Sequence, residues 1–518
     1  MRRLEGNLAS RKRDSPRGCT VITQGCECQS CKTVLPLKRL YSSDQGTIQL
    51  SGMPYKEVTR EVLQQLESIV GSSDLLVAKE AIIDYAHDES SVESHYPEVV
   101  ARVETVEEVS NILSIANQEK IAVTPRGGGT GLCGGAIPIY GGILLSFEKM
   151  NRILELDEEN LMVTVEPGVL IMNLHAYVEE RGFLYPPDPG QKLGSIGGNI
   201  STNAGGMRGV KYGVTRDFVQ QLEVVLPTGD ITHLGGKTVK DSTGYSLIDL
   251  IIGSEGTLGV VTKAMLRLVP LPKINVTLLA PYKNLQDASR TASQIIKNKV
   301  VLPAVEFVDR SSMLVAERYL KRSMTQSDAP AYVLMRVDGN TKETVDADCL
   351  VVGEICMKNQ ASEVFVPDTR DSQKIWEGRS CIIEAAKAEG FIEVLDCVVP
   401  RNRVPELIEG MNAIATKYGL ECQNFGHAGD GNVHTNVLKK NMHDEEWNTK
   451  LPKFIEEVYG LSISLGGTIS GEHGISLTRK KFLPMARDKL QIELMKQIKH
   501  VFDPNNILNP GKIFDLAD

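Results

Sequence analysis

The fold of this chain is decided by one glycine-rich stretch, Pro125-Arg126-Gly127-Gly128-Gly129-Thr130-Gly131-Leu132-Cys133-Gly134-Gly135. Six of the nine residues from 127 to 135 are glycine. A loop without Cβ atoms leaves its backbone N–H groups free to converge on an anion such as a pyrophosphate. Taken alone, the stretch could equally be a flexible turn, so its meaning depends on the residues around it.

The residues after the loop exclude two common phosphate-binding motifs. No Lys-Ser or Lys-Thr pair follows the glycines, although a Walker loop requires one. Residues 136–138, Ala-Ile-Pro, block entry into a helix, and the strand-like residues 143–145 follow instead. The arrangement therefore differs from the Rossmann fingerprint, in which the glycine loop opens a helix.

A β-α-β pattern leads into the loop. The strand-like residues 99–103 precede a helix that Thr105 and Glu108 begin as a capping box, and the strand-like residues 121–124 then run into the loop. Further glycine groups downstream suit a long flat ligand that is held by backbone contacts. They lie within residues 187–190, 194–199, 203–206, 211–213 and 253–262.

Two later glycine-flanked loops, residues 426–436 and 471–474, hold three of the nine histidines. His427 and His434 are seven residues apart, so a straight strand would point them to opposite faces, whereas a bend could bring them together. With Glu472 they form a His/His/Glu set with an open position, which is typical of a catalytic zinc-like site. Hydrogen-bonded histidines in ordinary turns are the competing interpretation, but three of them beside an acid favour a metal.

Charge divides the chain unevenly. Residues 1–42 carry nine Lys and Arg against three acids, and the rest of the chain carries 48 basic against 63 acidic residues. An acidic body argues against nucleic acid as a partner, because phosphate contacts need clustered positive charge. No apolar run approaches about 18 residues, so the chain is not expected to be transmembrane.

The basic N-terminal extension, residues 1–45, admits several interpretations. It ends in a sequence typical of a mitochondrial processing site, Arg39-Leu40-Tyr41-Ser42-Ser43, but a disordered tail or a misassigned start fits its acids equally well. We expect a cytoplasmic protein, either free or peripheral at a membrane, or a matrix protein if the extension is a presequence. Four cysteines in the extension depart from the ferredoxin spacing, which disfavours an iron–sulfur or zinc role: Cys19, Cys26, Cys28 and Cys31. The other six are interpreted as reduced thiols.

In their order, these motifs resemble the vanillyl-alcohol-oxidase type of flavoproteins. The resemblance is to the branch that contains the flavin-binding subunit of glycolate oxidase, D-lactate dehydrogenase and D-2-hydroxyglutarate dehydrogenase, and it runs from about residue 50 to the C-terminus. It implies an α+β fold, in which a two-subdomain PCMH-type FAD-binding domain (46–274) precedes an α+β, ferredoxin-like substrate or cap domain (275–455). That cap is expected to have helices on one face of its sheet. A C-terminal segment (456–518) would pack back on the flavin domain and complete the active site.

The resemblance also implies how FAD is held. Members that bind flavin covalently carry a histidine in the glycine loop, where this chain has Thr130, so non-covalent FAD is expected. The implied cofactor-binding residues are Arg126, Gly127, Gly128, Gly129, Thr130, Gly131, Leu132, Gly134, Gly135, Pro187, Asp188, Gly194, Ser195, Gly198, Asn199, Asn203, Gly205, Tyr212, Glu255, Gly256 and Val261.

By the same resemblance, His427, His434 and Glu472 hold a divalent metal. Zinc fits these ligands, and manganese, cobalt or iron are alternatives. The metal would lower the pKa of the substrate hydroxyl, and the hydride would pass to flavin N5. His473 is the expected general base, because an unperturbed imidazole titrates near physiological pH. A purely structural role is the competing interpretation for His473.

Two further residues are expected in the substrate pocket. Arg379 would clamp the substrate carboxylate, unless it is simply a solvent-facing helix arginine, and Asn436 is a candidate for the same pocket. Relatives that act on 2-hydroxyglutarate carry a Lys two residues before the position of Asp396, where this chain has Val394. The pocket is therefore expected to take a monocarboxylate such as D-lactate or glycolate.

Two alternative functions stay open from the sequence. One is a D-2-hydroxyglutarate dehydrogenase, and the other is a non-catalytic flavin protein that relays electrons within a complex. The reduced flavin needs an acceptor, for which electron-transferring flavoprotein, an iron–sulfur subunit, quinone and cytochrome c are all compatible with the sequence.

Overall fold

A computed structural model describes residues 55–325 and 327–515. The N-terminal extension and its four clustered cysteines lie outside the described residues. Each of the six cysteines within them is a free thiol, as the sequence predicts.

The first half of the described chain alternates short strands and helices. In chain order these are α1 (Arg60–Val70), β1 (Leu75–Leu76), α2 (Lys79–Ile82), β2 (Val99–Arg102), α3 (Val106–Glu119), β3 (Val123–Arg126), β4 (Ile143–Ser146), β5 (Ile153–Asp157), β6 (Met162–Val165), α4 (Ile171–Glu179), β7 (Phe183–Leu184), α5 (Ile196–Thr202), α6 (Gly209–Tyr212), β8 (Val219–Val225), β9 (Ile231–Gly235), α7 (Ile248–Ile251), β10 (Val260–Arg267) and β11 (Val269–Pro270).

Longer helices and strands make up the second half. They are β12 (Ile274–Tyr282), α8 (Leu285–Lys297), β13 (Ala304–Asp309), α9 (Arg310–Leu320), β14 (Ala331–Gly339), α10 (Lys342–Lys358), α11 (Thr369–Ser380), α12 (Ile382–Glu389), β15 (Ile392–Val398), α13 (Val404–Tyr418), β16 (Glu421–His427), β17 (Asn432–Leu438), α14 (Asp444–Ser464), α15 (Leu483–Ala486) and α16 (Lys489–Phe502).

The β-α-β pattern predicted ahead of the glycine loop is confirmed. β2 and β3 both run parallel to β4, which lies between them in the sheet order β1-β2-β4-β3. The side chain of Thr105 accepts the Glu108 N–H and begins α3, whereas the Glu108 carboxylate accepts the N–H of Glu104 rather than that of Thr105. Because β3 ends at Arg126, the first residue of the glycine loop is fixed in position by the sheet.

A second, antiparallel sheet has the order β5-β6-β10-β8-β9. Its inner face packs on α4 and α5 through a separate core that includes Val163, Leu222 and Ala264. Together the two sheets form the two-subdomain unit that the sequence predicts, and the α+β fold class is confirmed.

A third sheet, with the order β12-β14-β13-β16-β17-β15, is antiparallel throughout. Helices lie on both of its faces, so the expectation of helices on one face was wrong. One face packs on α8, α10, α13 and α14 through residues such as Phe307, and the other packs on α9, α11 and α12 through residues such as Val308. Both faces are largely apolar, as expected of strands that are buried on both sides, and the buried polar residues such as Glu306 and Asp396 are exceptions.

The C-terminal tail returns to the first sheet. The Val123 N–H donates to the Ile507 carbonyl at 2.8 Å, and the Asn509 N–H donates to the Val123 carbonyl at 2.7 Å. These bonds place the tail as a parallel neighbour of β3. The Asn509 side chain then donates to the carbonyls of Gly135 and Glu255, at 2.9 and 2.8 Å.

Lys512 extends this attachment into the glycine loop. Its buried ammonium group donates to the Gly134 carbonyl at 2.7 Å and to the Ile137 carbonyl at 2.6 Å. The last described residues of the chain therefore hold the end of a loop that lies nearly four hundred residues earlier.

Two sequence expectations concern boundaries and membranes. The predicted limit of the cap domain at residue 455 falls inside α14, and the division into domains stays a prediction. Among the described residues, no helix combines the length and the apolar character that crossing a bilayer requires.

We expect Lys512→Met to destabilise the protein. Methionine keeps most of the bulk but leaves two buried carbonyls without a donor, which should lower the free energy of unfolding by about 1–3 kcal/mol. Chemical denaturation measures this loss. Lys489→Met, at an exposed position of α16, is the control and should change the stability by less than about 0.5 kcal/mol. Equal stability of the two variants would contradict a holding role for Lys512.

Candidate active site

One cavity extends from the glycine loop to the hairpin of β16 and β17. Its walls come from residues 125–136, the start of α5, residues 255–261, α11 and α12, and the hairpin itself. The predicted phosphate-binding loop and the predicted His/His/Glu cluster therefore face the same space.

Ser195 fixes the glycine loop against α5. Its hydroxyl oxygen accepts the N–H of Gly128 and, as the N-cap of α5, the N–H of Gly198, each at 3.2 Å. A Cβ at Gly127 would lie 2.1 Å from this oxygen, so a side chain there would break the contact. Gly129 has φ +66°, a left-handed conformation that glycine adopts without strain.

Most of the predicted cofactor-binding residues line the cavity. They are Arg126, Gly127, Gly128, Gly129, Thr130, Gly131, Leu132, Gly135, Gly194, Ser195, Gly198, Asn199, Glu255, Gly256 and Val261. The remaining ones lie outside its lining: Gly134, Pro187, Asp188, Asn203, Gly205 and Tyr212. In the described structure, these residues contact other groups of the protein.

Two of these outlying residues make polar contacts of their own. Buried Asp188 binds Lys192 and lies 3.3 Å from the Arg208 Nε atom. Burial raises the pKa of Asp188, but the two cations outweigh it and hold that pKa below its ordinary value. The Tyr212 hydroxyl donates to Asp338 at 2.8 Å, which connects the first half of the chain to β14.

The lining fits a polar, extended cofactor such as FAD. The backbone of the glycine loop is unobstructed by side chains along several consecutive residues. The Asn199 Nδ2 atom is buried in the wall without a hydrogen-bond partner in the described structure, so a ligand oxygen would satisfy it.

The hairpin brings the two predicted metal-binding histidines together. Phe425 pairs with His434 in the ladder, and because residues 425 and 427 share a face, His427 and His434 do as well. Their ring centroids are 5.1 Å apart. Gly426 and Gly431 have φ +158° and +93°, and the turn between the strands supplies the bend that the sequence requires.

Glu472 completes the predicted set. Its Oε1 atom lies 3.4 Å from the Nε2 atom of His427 and 3.3 Å from that of His434. A Cβ at Gly205 would lie 2.6 Å from the other carboxylate oxygen, which explains a glycine at that outlying position. Two imidazole nitrogens and one carboxylate oxygen thus converge as the ligands of a divalent ion would.

Asp396 holds the turn that carries Glu472. Its Oδ2 atom accepts the Ser470 hydroxyl at 2.8 Å and the three consecutive N–H groups of residues 471–473 at 2.9 Å each. Asp396, His434 and His473 also lie close enough to form a second possible ligand group. With four donors already on Oδ2, Asp396 serves the turn, so the group with Glu472 is the better candidate for an ion.

His473 lies beside this cluster. Its ring stacks on His434 with 5.1 Å between centroids, and its Nε2 atom is 3.9 Å from the Glu472 carboxylate. Burial lowers the pKa of His473 to about 4, against the opposing effect of Asp396. This pKa lies below the near-physiological value of an unperturbed imidazole because the ring is cut off from water, and the role of His473 as general base stays a prediction.

Arg379 and Asn436 have different positions. Arg379 is 6% exposed and lines the cavity, so the solvent-facing alternative is wrong. Asn436 is fully buried on β17, donates to Gln423 at 3.3 Å and lies outside the lining, so the described structure does not bring it into the pocket.

Two carboxylates that organise the cluster are not predicted from the sequence. No motif surrounds Glu306, which contacts both His427 and Arg379, and Asp396 entered the prediction only as the reference point for Val394. The sequence did contain a signal, because each acid stands between apolar residues of its strand: Glu306 between Val305 and Phe307, and Asp396 between Leu395 and Cys397. A fully buried acid of this kind needs specific partners.

Comparison with known proteins agrees with this geometry. Residues 97–235 match the FAD binding domain family, and residues 271–513 match the FAD linked oxidases, C-terminal domain. D-lactate dehydrogenase from Anaerostipes hadrus is 39% identical over 472 residues, covering 90% of this chain and 99% of that protein. Glycolate oxidase subunit GlcD from Bacillus subtilis (strain 168) is 41% identical over 460 residues, covering 88% and 97%.

A solved structure supports the fold. Substrate-bound p-cresol methylhydroxylase superimposes with a TM-score of 0.73 at 18% identity, over 88% of this chain and 97% of that one. Both halves of the chain match their families, and the relatives are covered almost end to end, which confirms the resemblance found in the sequence. The chain belongs to the FAD-linked oxidase family and is an FAD-binding oxidoreductase.

Proposed function

We propose that this protein is an FAD-dependent, metal-assisted dehydrogenase that oxidises D-lactate or glycolate to the 2-oxo acid. One observation carries the proposal: His427, His434, Glu472 and His473 converge at one end of the cavity that the glycine loop lines. A protein that only relays electrons would not need such a cluster, so the complete set disfavours that alternative.

The Nδ1 atom of His427 supports a metal, because it is hydrogen-bonded to a buried carboxylate. The Nδ1 atom of His427 faces Glu306, and those of His434 and His473 lie 3.6 and 3.8 Å from Asp396. Carboxylates behind an imidazole orient its other nitrogen toward a bound ion. His427, His434 and Glu472 would hold the ion, which would supply a Lewis acid for the substrate hydroxyl, and zinc suits this ligand set.

The residues around the ion have complementary tasks. Arg379 would bind the substrate carboxylate, and His473 would take the hydroxyl proton at its Nε2 atom, which lies 3.9 Å from Glu472. FAD, when bound, supplies the acceptor for the hydride from the substrate Cα. The proton and the hydride together account for the two hydrogens that the hydroxy acid loses.

The part of the pocket wall formed by Ile383 is apolar, which favours a monocarboxylate. Ile383 lines the cavity, and Val394 packs behind it together with Ala386. Lys387 of α12 also lines the cavity, but it is paired with Glu89 at 2.7 Å, so a second substrate carboxylate beside Ile383 would meet no free cation on this helix. A D-2-hydroxyglutarate dehydrogenase stays the alternative, and the reduced flavin is proposed to pass its electrons to a separate acceptor.

The proposed reaction can be followed through the flavin itself. We expect D-lactate or glycolate to bleach the oxidised flavin band of the anaerobic protein, and D-2-hydroxyglutarate to do so far more slowly. Treatment with EDTA should abolish the bleaching, and adding Zn²⁺ or Mn²⁺ should restore it. Rapid bleaching by 2-hydroxyglutarate alone would overturn the substrate, and bleaching that survives metal removal would overturn the metal.

Removal of one ligand tests the composition of the metal site. We expect His434→Asn to lose bound metal and to slow flavin reduction by at least about 100-fold, with FAD still bound, because only the ion's coordination is disturbed. Metal content and stopped-flow absorbance measure the two effects. The control is His500→Asn, an exposed histidine of α16. Full metal content in the His434 variant would contradict the assignment.

The substrate preference can be changed at the wall. We expect Val394→Lys to raise kcat/KM for D-2-hydroxyglutarate relative to D-lactate by at least about tenfold, because a cation there would pair with a second carboxylate. Val351→Lys, at an exposed position of α10, is the control for an added lysine. A ratio equal to that of the wild-type protein would show that residue 394 does not select the substrate.

A further inference from the structure

Glu306 is a buried carboxylate between the two halves of the proposed substrate site. It lies on β13, directly opposite His427 in the ladder with β16, and none of its surface is exposed. Its neighbours on the same face of the strand, Ala304 and Val308, belong to the apolar core under α9, α11 and α12. An ionised acid in such surroundings is stable only when it is paired.

Glu306 has partners of two different kinds. The His427 Nδ1 atom lies 2.8 and 2.9 Å from its two oxygens, and because a carboxylate only accepts, the histidine nitrogen is the donor. Arg379 places its Nε atom 2.9 Å and its Nη2 atom 2.7 Å from Oε2. One side chain therefore contacts a proposed metal ligand and the proposed carboxylate clamp.

These contacts determine which atoms the partners present to the cavity. With its Nδ1 hydrogen directed at Glu306, His427 presents an Nε2 lone pair on the side of Glu472. With its Nε edge directed at Glu306, Arg379 keeps its Nη1 end for a ligand, and its guanidinium lies 4.9 Å above the Phe425 ring. A substrate carboxylate would meet the end of the guanidinium rather than its side.

We propose that Glu306 is a positioning residue that sets the spacing between the metal and the substrate carboxylate. A 2-hydroxy acid carries its hydroxyl and its carboxylate on adjacent carbon atoms, so the ion and Arg379 must stand at one fixed separation. Glu306 sets this separation because its single short side chain binds both His427, a proposed metal ligand, and Arg379. The inference rests on the proposed function and adds the group that aligns its two binding elements.

Glu306→Gln tests this role. Glutamine removes the negative charge and replaces one acceptor oxygen by an N–H donor, so it loses the charge-assisted bond to Arg379 and offers His427 fewer acceptors. We expect the holoenzyme variant to bind Mn²⁺ at least about tenfold more weakly, by electron paramagnetic resonance titration, and to show a KM for D-lactate raised by at least about tenfold. The flavin absorbance and the circular dichroism should match those of the wild-type protein.

Two further variants keep the test decisive. Glu306→Asp retains the charge but is too short to reach both partners, so it should shift both quantities in the same direction, and it decides the case if the glutamine variant fails to fold. Glu223→Gln is the matched control. Glu223 is another buried strand glutamate, which contacts His233 and Lys263, each at 3.1 Å, outside the cavity lining.

The outcomes separate this inference from the proposed function. Folded Glu306 variants with metal affinity and KM within twofold of wild type, or with only one of them changed, would overturn the shared positioning role. A wild-type protein that binds no Mn²⁺ and whose flavin no 2-hydroxy acid reduces would overturn the proposed function instead.

Discussion

The candidate active site depends on one buried carboxylate that accepts hydrogen bonds from a whole turn of backbone. Asp396 is the shared acceptor for Ser470 and for the N–H groups of residues 471–473, and its other oxygen accepts the Asn432 side chain at 2.9 Å. Burial alone would favour its neutral form, but His473, His434 and Arg479 hold the pKa of Asp396 below its ordinary value. Asp396 thus fixes Glu472 and His473 relative to the hairpin histidines, and the roles proposed for these two residues follow from that arrangement.

Specific contacts between protein groups fix both ends of the cavity. At one end, glycines allow the loop after β3 to lie against Ser195 so closely that no side chain could intervene. At the other end, two buried acids, Glu306 and Asp396, stand behind three histidines. At the glycine loop, the absence of side chains leaves the backbone open to a ligand. At the histidine cluster, buried acids and histidines hold one another in place.

The sequence predicted the parts of this structure that depend on local chemistry. The capping residue Thr105 and the glycine loop act on neighbouring residues, so the β-α-β unit could be found from the chain alone, and the α+β class was implied by the family resemblance. The site was less accessible, because it depends on which strands become neighbours. Glu306 is 121 residues from His427, and the β13–β16 pairing that joins them has no local signal. Burial also changes chemistry that sequence cannot register, and the lowered pKa of His473 is an example.

The returning tail has a consequence for how the protein is made. Residues 507–512 supply a strand neighbour for β3 and the donors that hold the carbonyls of residues 134, 135 and 137. During synthesis these residues leave the ribosome long after the glycine loop has emerged. The loop that lines the flavin cavity therefore gains its last hydrogen-bond donors only when both halves of this sequence have been translated.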